Sequence, residues 1–212
     1  PNGLDIDQID QQASAPISRE SLDLPPAALA VVMVAGLNKF KNQPMLFRAL
    51  KRTESDSARP LHVLVVGDGP RAAELKATAE NIGVANRVHF LGHRTDVPAI
   101  LQVSDIAVLA SHTEGTPNAV MEAMVCRLPV VATDVGGVGE VVDQGSTGWM
   151  VPPDDDEAMA AKILEFARSE TLSQRFGEAG RERIRRYFSM ETMVNNTLAV
   201  YEFLLARKSG EF

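Results

Sequence analysis

The fold of this chain is decided by the stretch from Ser111 to Gly137, which reads Ser-His-Thr-Glu-Gly-Thr-Pro-Asn-Ala-Val-Met-Glu-Ala-Met-Val-Cys-Arg-Leu-Pro-Val-Val-Ala-Thr-Asp-Val-Gly-Gly. Its pattern predicts a polar loop with Glu114, a helix that begins near Thr116 and carries Glu122, an apolar strand over residues 129–132, and a loop with two glycines. Two carboxylates are therefore expected beside a helix start, next to a buried strand.

The rest of the chain repeats this alternation of strands and helices. Apolar runs predict further strands at residues 29–35, 61–66, 87–91, 106–109 and 149–151. Helical periodicity predicts helices at about 43–52, 71–82, 97–103, 157–168, 172–187 and 190–207. Such alternation indicates a parallel sheet covered on both faces. We therefore predict an α/β fold, a Rossmann-like doubly wound parallel sheet flanked by helices, with a C-terminal helical tail.

Composition limits the class of protein. The 212 residues are 45% hydrophobic, which is enough to bury a sizeable core. A formal charge of -7 disfavours a nucleic-acid partner, because such surfaces rely on clustered Lys and Arg. The single cysteine, Cys126, cannot form an intramolecular disulfide or a thiolate metal site. With no apolar run of about 18 residues and no signal-peptide pattern, we expect a cytoplasmic protein without a transmembrane segment.

Ligands of open parallel sheets bind at the carboxyl ends of the strands, so the loops there hold the candidate site residues. The first such loop carries Asn38 and Lys41, and a lysine there would reach a diphosphate as a flexible point charge. A solvated surface lysine is the more frequent explanation. His93 and His112 lie in other loops of this edge, where we expect structural rather than acid-base roles.

The loop after the second strand matches a loose dinucleotide fingerprint, Gly67-x-Gly69-x-x-Ala72. A dinucleotide enzyme would place an acidic residue about 20 positions further on to hold the ribose hydroxyls. This chain has Phe-Leu-Gly-His-Arg at residues 90–94, so that acid is missing, and only Arg94 keeps an NADP-binding function open. We favour a tight strand-to-helix turn.

Glu114 and Glu122 are the strongest candidates for a site. They are eight residues apart, so one can face the cleft from the loop and the other from the helix. The helix start offers unpaired N–H groups and positive dipole charge to a phosphate, and carboxylates accept hydrogen bonds from vicinal hydroxyls. A nucleotide sugar would satisfy both features. Taken singly, Glu122 is more often an exposed helical glutamate, and Glu114 a loop carboxylate or a helix N-terminal cap.

Three motifs together support a family resemblance. Residues 114–124 (Glu-Gly-Thr-Pro-Asn-Ala-Val-Met-Glu-Ala-Met), 128–137 (Leu-Pro-Val-Val-Ala-Thr-Asp-Val-Gly-Gly) and 148–153 (Gly-Trp-Met-Val-Pro-Pro) resemble the donor-binding half of retaining GT-B glycosyltransferases of the group 1, or family 4, type. The same family includes sucrose synthase and bacterial mannosyltransferases. Pro1-Asn2-Gly3 is similar to the family's interdomain linker, so the resemblance covers essentially the whole chain.

The resemblance implies roles for the matching residues. Glu114 would be the catalytic residue, in contact with the donor sugar near its reacting carbon, and Glu122 would hold the ribose hydroxyls. The implied reaction transfers a sugar from a nucleoside-diphosphate sugar to an acceptor hydroxyl with retained configuration, without a metal or other cofactor. The implied donor-binding set is Gly36, Asn38, Lys41, Arg94, Asp96, Gly115, Thr116, Pro117, Asn118, Ala119 and Glu122.

Two positions depart from the family pattern. Gly36 stands where the family has an arginine five residues before the phosphate-binding lysine, here Lys41, so one diphosphate clamp is absent or replaced, with Asn38 the nearest polar alternative. Arg127 stands where a glycine follows the helix, and we expect it to alter a turn rather than the chemistry.

The resemblance also implies a division of the chain. Residues 1–28 would be an interdomain linker, 29–187 the donor-binding domain, and 188–212 a helix that returns to an N-terminal acceptor domain absent from this chain. The acceptor would be a saccharide or lipid-linked glycan in polysaccharide or glycoconjugate synthesis, with the whole enzyme in the cytoplasm or peripheral at the inner membrane face. The apolar stripe of the last helix could instead pack on its own sheet. An NAD(P)-dependent oxidoreductase domain and a catalytically inactive nucleotide-binding module stay open as other functions.

Overall fold

The computed structural model describes residues 3–209, with side-chain surroundings up to residue 205. Pro1 and Asn2 of the linker motif lie outside the described residues. The strands form one parallel sheet in the order β3-β2-β1-β4-β5-β6. The predicted doubly wound α/β fold is confirmed. The strands are β1 Leu29–Val34, β2 Leu61–Val66, β3 Val88–Gly92, β4 Ile106–Leu109, β5 Val130–Thr133 and β6 Gly148–Val151.

Helices cover both faces of the sheet. Side chains that alternate along each strand enter two different cores, so that Val31 and Met33 pack on one face and Ala30 and Val32 on the other. This two-sided burial is why the strands read as continuous apolar runs. The helices are α1 Ile6–Ala13, α2 Gln43–Arg52, α3 Ala72–Ile82, α4 Val97–Gln102, α5 Asn118–Val125, α6 Val138–Val141, α7 Asp156–Arg168, α8 Glu170–Tyr187 and α9 Met190–Ser209.

The segment predicted as a linker is not structureless, because α1 and the residues after it pack on the domain. Ile9 and Leu22 are buried in the core under this face. Asp10 accepts two hydrogen bonds from the Arg181 guanidinium, of 2.8 and 2.6 Å, and this ion pair ties α1 to α8. The guanidinium of Arg181 lowers the pKa of Asp10. The apolar contacts of α1 come from Ile6 and Ile9, and a pattern this short does not predict a helix from the sequence.

Helix α5 begins at Asn118, two residues later than predicted. Pro117 disfavours helical backbone at the residue before it, so Thr116 stays in the loop. The four-residue helix α6 was not predicted, because it is too short to show periodicity.

The last helix does not bury its apolar stripe on the sheet. Met190, Val194, Leu198 and Tyr201 are between 43 and 62% exposed. Packing of the stripe on its own sheet is therefore wrong. The start of α9 is fixed by the start of the described chain, since Leu4 pairs with Ser189 as an isolated parallel bridge. None of the helices in residues 3–209 combines the length and apolarity that crossing a membrane requires.

Two histidines, His62 on β2 and His89 on β3, lie in contact with each other. Nδ1 of His62 and Nε2 of His89 lie 2.9 Å apart, and the two rings stack. Burial and then the neighbouring His89 lower the pKa of His62, and burial lowers the pKa of His89. The unfolded chain then binds more protons than the folded one below the ordinary value of about 6.5. The free energy of unfolding should therefore fall as pH decreases through that value.

We expect replacement of both histidines, His62→Leu with His89→Leu, to remove much of this pH dependence. Urea unfolding at about pH 7.5 and about pH 5.5 should show a lower free energy of unfolding at the lower pH in the unsubstituted chain, and a smaller difference between the two pH values in the double variant. His93→Leu, at an exposed position, is the matched control. An equal loss in the double variant would exclude the pair as the cause.

Candidate active site

The loops after β1 and β4 bring a lysine and a glutamate together at the carboxyl edge of the sheet. Nζ of Lys41 donates to Oε1 of Glu114 at 2.6 Å. Oγ of Ser111 donates to the same oxygen, also at 2.6 Å. The Glu114 side chain is 10% exposed and that of Lys41 is 26% exposed. The ion pair is therefore half-buried, with its lysine on the solvent side.

Two glycines allow the loop after β5 to pack closely against the loop that contains Glu114. A Cβ on Gly136 would lie 2.0 Å from the Glu114 carbonyl oxygen, and a Cβ on Gly137 would lie 2.1 Å from that of Gly115. Gly136 also has a φ of +51°, in the left-handed region that favours glycine. The backbone N–H of Gly137 donates to the Glu114 carbonyl at 3.3 Å. The Gly-Gly motif is thus required for close packing of the two loops, and this packing fixes the position of the Glu114 loop.

Glu122 lies in the second turn of α5 and is half-buried. Within residues 3–209, no hydrogen bond or ion pair reaches its carboxyl group, and burial raises its pKa. A partly desolvated carboxylate without a donor is unfavourable in the free protein. Ligand hydroxyl groups could supply the donors that the protein does not.

The start of α5 lies at the same edge of the sheet as Glu114. Among the described residues, no side-chain hydrogen bond caps this helix at Pro117, and the N–H groups of Val120 and Met121 both donate to the Pro117 carbonyl. The earlier N–H groups of a helix point outward along its axis, where they favour a phosphate. Thr116, Pro117, Asn118 and Ala119 form this loop-to-helix junction, directly after Glu114 and Gly115.

Arg94 and Asp96 bind each other. The Arg94 guanidinium donates to both carboxylate oxygens of Asp96, at 2.8 and 2.6 Å. The Arg94 guanidinium lowers the pKa of Asp96. A 2′-phosphate would have to displace this bidentate partner from Arg94, which weakens the NADP alternative. The pair does fix the shape of the loop after β3.

The glycines of the loose dinucleotide fingerprint serve loop packing. A Cβ on Gly67 would lie 2.2 Å from the Ala35 carbonyl oxygen, and one on Gly69 would lie 2.5 Å from that of Leu37. The loops after β1 and β2 therefore press on each other through these glycines. This supports the tight strand-to-helix turn.

Gly36 leaves space where the family arginine would be. A Cβ there would make only ordinary contacts, 3.5 Å to Asn38 Nδ2 and 3.8 Å to the Asp68 carbonyl oxygen. Oδ1 of Asn38 accepts from the Phe40 N–H at 2.9 Å, so this side chain shapes the loop. The Gly36 carbonyl accepts from Nε2 of buried Gln43 at 3.1 Å. Gly36 is thus an open position in a well-ordered loop.

Arg127, His93 and His112 complete the set of candidates, and the backbone N–H of His112 donates to the Phe40 carbonyl at 2.8 Å, next to Lys41. Arg127 has a φ of +61° just after α5, which explains the preference for glycine there, and its Nε contacts Glu178 at 2.8 Å.

His93 and His112 are exposed, and Nδ1 of His112 is 3.7 Å from Asp154, too far for a hydrogen bond. Sequence patterns missed Ser111, which lies two residues after the end of β4 and three residues before Glu114.

The fold is shared with glycosyltransferases of the GT-B class. A glycosyltransferase from Rickettsia africae superimposes with a TM-score of 0.86 at 24% identity, covering 96% of this chain and 56% of that one. Anabaena HepE, solved in complex with UDP, superimposes with a TM-score of 0.83 at 25% identity, covering 93% of this chain and 56% of that one.

Sequence comparison defines the family more closely. The sequence model of the family described as glycosyl transferases group 1 matches residues 14–183, so the chain belongs to this family. N-acetyl-alpha-D-glucosaminyl L-malate synthase of Bacillus anthracis is 30% identical over 184 residues, which cover 85% of this chain and 47% of that protein. The chain corresponds to the C-terminal part of such relatives and spans about half of their length.

Proposed function

We propose that this chain is the donor-binding domain of a retaining glycosyltransferase that transfers a hexose from a nucleoside-diphosphate sugar to an acceptor hydroxyl. The observation that carries the proposal is the placement of Lys41 and Glu114 in contact at the carboxyl edge, beside the uncapped start of α5. Membership of the group 1 family supports the sugar-transfer chemistry. The acceptor belongs to polysaccharide or glycoconjugate synthesis.

Each part of the donor has a chemically matched group. The diphosphate meets the first turn of α5 and the ammonium group of Lys41, which share its negative charge. The ribose hydroxyls donate to Glu122, whose carboxyl group gains the hydrogen bonds it lacks in the free protein. The loop of Arg94 and Asp96 contacts the base through its backbone.

Glu114 faces the transferred sugar. Its negative charge stabilises the positive charge that develops on the sugar ring as the bond to the diphosphate breaks. The fixed positive groups at the helix start and Lys41 stabilise the diphosphate as it leaves. Both effects act at the same bond, so the site is matched to glycosyl transfer.

The acceptor is bound by a second domain that precedes these residues in the whole enzyme. The exposed apolar side chains of α9 offer this domain a contact surface, and the bridge between Leu4 and Ser189 places the start of α9 beside the start of the described chain. The whole enzyme works in the cytoplasm or at the inner membrane face. The chain by itself should bind the donor and transfer little sugar, because positioning of the acceptor supplies much of the rate.

Gly36 favours one alternative, a nucleotide-binding module without catalysis, because a positive clamp on the leaving diphosphate is missing. A thermal-shift panel separates the functions, since a ligand that binds only the folded chain raises its unfolding temperature with concentration. We expect a shift with at least one of UDP, GDP, ADP and TDP, and none with NADP. Donor binding would be contradicted if NADP alone raised the unfolding temperature, or if none of the nucleotides did.

An arginine at position 36 should strengthen binding of the diphosphate. A Cβ at position 36 makes only ordinary contacts, and one charge-assisted hydrogen bond from the arginine of Gly36→Arg would tighten nucleoside-diphosphate binding by about tenfold. Isothermal titration calorimetry measures this, with Gly36→Gln as the uncharged control at the same position. Equal affinities of the arginine and glutamine variants would show that the diphosphate lies elsewhere.

A further inference from the structure

Ser111 connects Glu114 to the buried sheet. It follows the end of β4 and is fully buried, as is Thr133 at the end of β5. Oγ1 of Thr133 donates to the Ser111 carbonyl at 2.6 Å, and Oγ of Ser111 donates to Glu114 Oε1 at 2.6 Å. Two short hydrogen bonds therefore run from the end of one strand, through the end of its neighbour, to the carboxylate.

The two donors on Glu114 differ in how firmly they are held. Lys41 and Ser111 contact the same oxygen, Oε1, so neither of them holds Oε2. Lys41 has a long, partly exposed side chain, and the diphosphate of a donor would attract its charge. Ser111 has one rotatable bond to its hydroxyl oxygen, no exposed surface and a tethered carbonyl. Only Ser111 is fixed independently of the ligand.

We propose that Ser111 is a positioning residue that keeps the carboxylate of Glu114 oriented toward the donor sugar when Lys41 moves to the diphosphate. This inference rests on the proposed function. In the free protein, Lys41 and Ser111 share one oxygen of Glu114. In the donor complex, the Ser111 hydroxyl retains that oxygen, and Oε2 accepts from the hydroxyls of the sugar.

A binding experiment tests the role of Ser111 by comparing a nucleotide that lacks the sugar with one that carries it. Ser111→Ala removes the hydroxyl and leaves Lys41 in place. Calorimetry would compare two ligands, the nucleoside diphosphate selected among UDP, GDP, ADP and TDP and the corresponding nucleoside-diphosphate glucose. We expect the affinity of Ser111→Ala for the diphosphate to be within about twofold of that of the unsubstituted chain. Its affinity for the glucose ester should be about tenfold weaker, because one hydrogen bond to a charged group is lost.

Two further variants test whether the effect is specific. Thr133→Val keeps the shape of the side chain but removes the donor to the Ser111 carbonyl, so it should weaken binding of the glucose ester by a smaller factor. Ser104→Ala is the matched control at the opposite end of β4, where Oγ of Ser104 donates to the Ile100 carbonyl at 2.8 Å. It should leave both affinities unchanged.

The outcomes distinguish the inference from the proposed function. If the unsubstituted chain binds none of these nucleotides, donor binding itself is wrong, and the role of Ser111 falls with it. If the chain binds both ligands and Ser111→Ala leaves the affinity for the glucose ester unchanged, only the role of Ser111 is overturned. An equal loss of affinity for the diphosphate and its glucose ester would also overturn it, since that result indicates a general disturbance of the loop.

Discussion

Replacing Glu114 with glutamine should lower sugar transfer by the whole enzyme by about 10²- to 10³-fold, the usual effect of removing one electrostatic contact to the transition state. The amide keeps the shape of the carboxylate, and its oxygen can still accept from Ser111. It lacks the negative charge that stabilises the developing positive charge on the sugar. The substitution therefore acts on the transition state more than on the bound nucleotide.

Steady-state kinetics with a fixed acceptor measure this effect. We expect a large fall in kcat with a change of only a few fold in the affinity for the nucleoside diphosphate. Glu140→Gln is the control, because Glu140 is an exposed glutamate on the short helix after the same glycine pair. Undiminished turnover in Glu114→Gln would remove Glu114 from the mechanism.

Replacing Glu122 with glutamine should have opposite effects on binding and on stability. Binding of the nucleoside diphosphate should weaken by about tenfold or more, because hydrogen bonds from the ribose hydroxyls to a carboxylate are charge-assisted. The ligand-free chain should become more stable, by roughly 0.5–2 kcal/mol, as is common when a functional constraint is removed. The first effect is measured by calorimetry and the second by urea unfolding without nucleotide.

The pH dependence gives an independent check on Glu122. Burial raises its pKa above the ordinary value of 4.5, so the folded chain binds more protons than the unfolded one just above that pH. The contribution of Glu122 to the free energy of unfolding therefore decreases as pH rises from 4.5 through the raised value. Glu122→Gln should lack this decrease, whereas Glu157→Gln, at an exposed position, should retain it. A less stable Glu122→Gln variant with unchanged nucleotide affinity would show that the carboxylate is structural.

The two effects together would explain why the carboxylate persists. A partly buried group without a donor makes the empty domain less stable and gives the ligand-bound domain a specific contact. On the proposed function, the ion pair of Lys41 with Glu114 would work similarly, because each residue would hold the other until the diphosphate and the sugar replace it. The free site would then suit a ligand that carries both groups.

Sequence patterns were sufficient for the parts of the fold that depend on periodicity. The predicted bounds of α2, β2 and β4 coincide with those in the structure, since each is a distinct apolar or amphipathic run between polar loops. The segment with α1 was different. Its packing depends on Ile9 and on the long-range ion pair between Asp10 and Arg181, which are 171 residues apart, and no local pattern reveals such a contact.

The candidate site shows the same limit. The resemblance identified Glu114 and Lys41 separately, but their contact depends on two loops 73 residues apart in sequence. Ser111 was missed because a serine after a strand carries no signal of its own until the loop returns Glu114 to its hydroxyl. Arg94 appeared available for a phosphate in the sequence, yet its nearest partner proved to be Asp96, two residues away.

A crystal structure of this chain with the nucleoside diphosphate that most raises its unfolding temperature tests donor binding most directly. We predict that the diphosphate lies against Lys41 and the first turn of α5, with the ribose hydroxyls bonded to Glu122. A nucleotide bound instead at the Gly67–Gly69 loop, with its phosphates at the start of α3 and Glu122 still without a hydrogen bond, would contradict it.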